Sequence, residues 1–95
     1  MARKAHSSDV FLTARREGWS EEVRRLTAYG DRLTIYRKEG RTIRVETGHG
    51  GGGIKWCDRF EGEGRKCYVH LTSRDPHKAD SIIYWMTQPW RSRVC

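Results

Sequence analysis

No stretch of this 95-residue sequence is apolar for long enough to cross a membrane, and the opening MARKAHSSD lacks the apolar run of a signal peptide. Only three cysteines occur, one of them terminal, too few for the disulfide framework that holds small secreted domains together. Both absences point to a reducing cytoplasm and away from a membrane. There is no internal repeat and no long block of like charge, and the one low-complexity segment is a glycine run. The two prolines, Pro76 and Pro89, stand where a helix would start and stop. No nucleophile and base lie at a recognisable spacing, and the paired carboxylates of a metal nuclease are missing.

The chain is long enough for one modest core. We expect a flexible arm over residues 1–7, a single domain over 8–90 and a short basic tail over 91–95. Nineteen lysines and arginines against twelve aspartates and glutamates leave a net charge of +7. A basic surface draws polyanions by releasing their counterions, so nucleic acid is the leading class of partner. An acidic surface of a larger protein is the alternative.

Glu22 to Thr47 reads as three β-strands joined by two tight turns. A two-residue turn at Gly30-Asp31 would set Tyr29 against Arg32, Ala28 against Leu33 and Leu26 against Ile35. A three-residue turn at Lys38-Glu39-Gly40, closed by glycine, would set Arg37 against Arg41, Ile35 against Ile43 and Leu33 against Val45. Leu26, Ala28, Leu33, Ile35, Ile43 and Val45 then share one apolar face. The other face carries Arg25, Tyr29, Arg32, Tyr36 and Arg44. A second hairpin over Ile54–Phe60 and Arg65–Thr72 would place Ile54, Trp56, Phe60, Cys67, Val69 and Leu71 on the core side. Lys55, Cys57, Arg59, Lys66, Tyr68 and His70 remain outside, which separates Cys57 from Cys67.

Helices are expected at both ends. Ser7 or Ser8 can cap the first, which begins at Asp9 and buries Val10, Phe11 and Ala14. Gly18 ends it in a left-handed conformation, and Trp19 folds back into the core. Asp75-Pro76 opens the second, whose stripe is Ala79, Ile82, Ile83 and Met86, with Trp85 at its edge. The fold expected is a two-layer α+β domain in the order α-β-β-β-β-β-α. Its five-stranded, mainly antiparallel sheet carries both helices on the apolar face.

The arginine, lysine and tyrosine face is the candidate binding surface, because cations hold phosphates while flat rings accept unstacked bases. Its residues are Arg25, Tyr29, Arg32, Tyr36, Arg44, Lys55, Arg59, Lys66, Tyr68 and His70. The GHGGGG segment, residues 48–53, follows no phosphate-loop pattern. With His49 and Gly51 it forms a candidate loop that could close over a phosphate. Cys57, Cys67, His70 and His77 are zinc-type ligands, yet their spacing matches no tight zinc motif. No metal or cofactor is expected. His49 and His70 are the bases that a ribonuclease reading would use. The order helix, strands, helix resembles that of double-stranded-RNA-binding domains and the small ribonuclease toxins that share it. This likeness covers element order alone. An edge strand leaves room for a homodimer.

Overall fold

The computed structural model of the chain describes residues 5–48 and 53–90. Residues 1–4, the candidate loop residues His49 and Gly51, and the basic tail lie outside them. The elements run α1 (Ser7–Arg16), β1 (Ser20–Arg25), β2 (Arg32–Lys38), β3 (Arg41–Thr47), β4 (Ile54–Glu61), β5 (Lys66–Leu71) and α2 (Lys78–Thr87). The strands form one antiparallel meander in the order β1-β2-β3-β4-β5. The two helices pack on each other, and α2 lies against β4. Val10, Ala14, Ala79, Ile82, Trp85 and Met86 join Tyr36, Ile43, Val45 and Cys57 in one core. The α+β architecture expected from the sequence is therefore the architecture of the chain.

Helix α1 starts earlier than Asp9. His6 occupies the cap, and its backbone N–H donates to Asp9 Oδ2 at 2.8 Å. An acid in the first turn and Arg15 and Arg16 in the last suit the helix dipole. Gly18 turns the chain at φ +80°, and the Trp19 N–H returns to the Ala14 carbonyl. The Trp19 ring then enters the core, with its indole N–H donating to the Met86 carbonyl at 3.2 Å. Asp75-Pro76 forms a turn ahead of α2 instead of its first residues, with His77 in the cap position. The Asp75 carboxylate accepts the His77 N–H at 2.7 Å. Trp85 is fully part of the buried stripe, while Tyr84 faces solvent. Beyond the helix, the Trp90 indole N–H donates to the Trp85 carbonyl at 2.7 Å.

Strand register departs from expectation at three places. The β1–β2 connection is a six-residue loop, Leu26 to Asp31, in which the Thr27 hydroxyl accepts the N–H groups of Tyr29 and Asp31. β1 consequently ends at Arg25, which pairs with Arg32, and Glu22 pairs with Ile35. Leu26 stands in solvent. The β2–β3 turn is Glu39-Gly40, both at positive φ (52° and 79°), two residues and not three. This sets Lys38 against Arg41 and Tyr36 against Ile43. Tyr36 and Thr34 therefore face the helices, and Leu33 and Ile35 face away. The last hairpin pairs Glu61 with Lys66 across Gly62 to Arg65, and Gly62 (φ 67°) and Arg65 (φ 50°), not Gly64, take the left-handed positions.

A bulge on either side of β4 completes the shift. Val45 pairs with Cys57 and Ile43 with Arg59, which puts Cys57 and Arg59 under the helices. Trp56 and Phe60, expected in the core, are on the opposite face. Strands β3 and β5 keep the expected parity for Ile43, Val45, Arg44, Val69, Tyr68 and His70. Cys57 is a free, buried thiol, whereas Cys67 is disulfide-bonded, so the two are not joined to each other. Cys67 is buried, as its expected core-side position implies, and its sulfur is held in a disulfide.

Candidate functional site

The sheet face turned away from the helices is built by alternate residues of five strands. In cross-strand rows it presents Glu22, Ile35, Arg44, Asp58 and His70, beside a second row of Arg24, Leu33, Glu46 and Trp56. Ile35 is only 5 % exposed although no helix covers it. It lies between the long side chains of Glu22 and Arg44, and such chains cover apolar neighbours with their stems.

Asp58 organises the centre of this face. It is 1 % exposed, and a charge so far from water needs partners. Arg44 supplies a bidentate one, with Nε donating to Oδ1 at 2.9 Å and a terminal nitrogen to Oδ2. The Tyr68 hydroxyl donates to Oδ2 at 3.2 Å. That double hydrogen bond to a carboxylate, chiefly, raises the Arg44 pKa above its ordinary value. The Arg44 guanidinium also sits 5.3 Å from the Phe60 ring centroid and 5.9 Å from that of Trp56. Trp56 stacks on His70 with centroids 5.6 Å apart and planes inclined by 28°, and its indole N–H donates to Glu46 Oε1 at 3.0 Å. Four rings, Trp56, Phe60, Tyr68 and His70, thus surround one fixed ion pair on an open surface. Tyr68 is 49 % exposed.

The ten strand and turn residues expected on this surface divide. Arg44, Tyr68 and His70 are there. Lys55 stands at the β4 bulge, held by Asp31 Oδ1 at 3.0 Å and Glu46 Oε2 at 3.8 Å. Lys66 opens β5 and is exposed opposite Glu61. Tyr29 belongs to the β1–β2 loop and is exposed there. Arg25 and Arg32 face each other on the helix side of the sheet, near its uncovered edge.

Tyr36 and Arg59 are corrections. Tyr36 is buried in the helix-side core, where loss of hydration pushes its phenol up to about 12. Arg59 lies 4.8 Å from the Trp90 centroid and 5.4 Å from that of Trp85. Burial lowers its pKa, and among the described residues its Nε has no hydrogen-bond partner. With Arg41, which sits over Trp19 and Trp90, it pins the last residues of the described chain to the sheet.

The residues that sequence reasoning missed are Asp58, Trp56 and Phe60. Their signal was the alternation Trp56-x-Asp58-x-Phe60, legible only once the parity of β4 is known. Among the described residues no group of three or more His, Cys, Asp or Glu could hold a metal ion. Cys57 and His70 in particular point to opposite faces. Two clefts, of about 400 and 540 Å³, are lined by helix ends and strand ends, the first by Lys38, Arg41 and Trp90 and the second by His6, Arg74 and Lys78. Among the described residues no helix is long and apolar enough to cross a membrane. No family model, curated protein or solved structure matches this chain.

Proposed function

We propose that the open sheet face binds single-stranded nucleic acid. The observation that carries this reading is the grouping of Trp56, Phe60, Tyr68 and His70 on the one broad surface that neither helix covers. Flat rings held on strands offer stacking sites to unpaired bases, which a duplex keeps hidden. The Arg44–Asp58 pair acts as a rigid floor that fixes the rings, and its charge is largely satisfied within the protein. Phosphate contacts then fall to cations without an ion pair among the described residues, Lys66 and Arg65 at the rim, the latter 5.3 Å from the Phe60 centroid. The net charge of +7 adds long-range attraction.

Anisotropy of labelled oligonucleotides tests the reading, with tryptophan quenching as a second readout. His70→Ala and Tyr68→Phe separate ring from hydroxyl. Loss of one stacked base weakens binding roughly tenfold to a hundredfold, so His70→Ala should do so while Tyr68→Phe changes little. Two phosphate contacts on a single strand, at Lys66 and Arg65, imply roughly a sevenfold loss between 50 and 200 mM salt. Salt-independent binding, or no binding to any single strand, removes the proposal. A cytoplasmic location belongs to the same reading, and cell fractionation checks it. Recovery outside the cell, where a disulfide at Cys67 is stable, would contradict it.

A further inference from the structure

Among the described residues the sheet ends in two edge strands, β1 and β5, and they differ. At β5 the edge is blunted: the β4–β5 pairing slips between Arg59 and Glu61, and Cys67 stands at φ 58°. At β1 the edge is regular from Ser20 to Arg25 and its pairing with β2 has no slip. The Leu26 N–H bonds to the Asp31 carbonyl, which fixes the alternation of the ladder. Arg24, Glu22 and Ser20 turn their backbone groups toward β2, so Glu21, Val23 and Arg25 turn theirs outward.

The side chains along that edge read Ser-Glu-Glu-Val-Arg-Arg. We propose that β1 pairs with β1 of a second copy of this chain, antiparallel, with Val23 facing Val23 across a two-fold axis. In that register every outward backbone group meets an outward group, as an antiparallel ladder requires. The charges also match: Glu21 meets Arg25 of the second copy on the helix side, and Glu22 meets its Arg24 on the open side. Among the described residues Glu21 and Arg25 make no ion pair, and Val23 is 51 % exposed, so all three side chains are available to a second strand. Arg25 stands directly opposite Arg32 in the monomer, a repulsive cross-strand pair. An acid arriving on its other side relieves that repulsion.

Because the axis is perpendicular to the sheet, the two five-stranded sheets become one, with all helices on one side. Both aromatic faces then lie on the other. This inference is independent of the nucleic-acid reading. A short edge-to-edge contact is a small interface, so the affinity expected is roughly micromolar.

Sedimentation equilibrium over a concentration series tests it on the whole chain. The mass should rise from 11.1 kDa toward twice that value. Val23→Pro removes an outward N–H and leaves the β1–β2 ladder intact, and it should keep the wild-type circular dichroism while staying monomeric. Glu21→Arg alone and Arg25→Glu alone should each be monomeric, since each sets like charges face to face. Mixed in equal amounts, these two variants should form a heterodimer, as one then offers two cations and the other two anions. A wild-type chain monomeric at every concentration overturns the proposal. So does a dimer that survives Val23→Pro, or single variants that fail to recover association on mixing.

Discussion

Replacing Arg44 by methionine would keep most of the stem that covers Ile35 and remove the cation that faces Asp58. The Asp58 carboxylate, 1 % exposed, would keep only the Tyr68 hydroxyl as a side-chain donor. Stranding a buried charge costs about 3–5 kcal/mol. The Arg44 side chain is itself 25 % exposed, so water reaches part of the site and the lower range, about 2–4 kcal/mol, applies. For a domain of this size that lowers the melting temperature by roughly 10–20 °C. Asp58→Asn leaves the other partner, and Arg44 can recruit water, so its cost should be about 1 kcal/mol. The asymmetry is the point. Urea unfolding of both variants and of the double variant measures it, with the double variant less damaged than Arg44→Met alone. Equal losses for the two single variants, or a larger loss for Asp58→Asn, would refute the assignment of Asp58 as the buried member of the pair.

Burial pushes the Tyr36 phenol from 10.0 to about 12, so the folded state holds this proton more tightly than the unfolded chain. That contribution is intact below pH ~10 and is lost as pH rises toward ~12, up to about 2–3 kcal/mol in all. Tyr36→Phe should flatten this alkaline loss in a pH series of melting curves, and an unchanged profile would contradict the burial of Tyr36. The Cys57 thiol, buried and likewise pushed up to about 12, should resist iodoacetamide at pH 8 in the native protein and react once urea unfolds it. Native labelling at the rate of an ordinary thiol would place Cys57 elsewhere.

Element identity was legible because each element had a local cause. Gly18 ended α1, the stripe Ala79, Ile82 and Met86 marked α2, and alternation in β3 put Ile43 and Val45 inward. Parity was not legible in β2 and β4, and the reason is physical. Leu33-Thr34-Ile35-Tyr36 has an acceptable core residue on either face, so the pattern could not arbitrate and the turn decided. Glu39 at positive φ is an unusual first residue for a two-residue turn, which made the three-residue reading attractive. In β4 the expected core residues Trp56 and Phe60 were outvoted by pairing: once Val45 and Ile43 face the helices, Cys57 and Arg59 must follow. The open face was consequently foreseen as basic and tyrosine-rich. It is instead a charge-balanced floor with four rings on it, shared in Arg44, Tyr68 and His70 alone.

The meander order has a consequence for how the chain reaches this state. Every strand ladder joins neighbours in sequence, so hairpins can close one after another over short loops. Contacts between α1 and α2 bring together opposite ends of the described chain, as does the hydrogen bond from the Ala5 N–H to Asp80 Oδ1. We expect this helix clasp to close last and to open first. Amides of α1 should then exchange with deuterium sooner than those of β3, and the reverse order would argue against it.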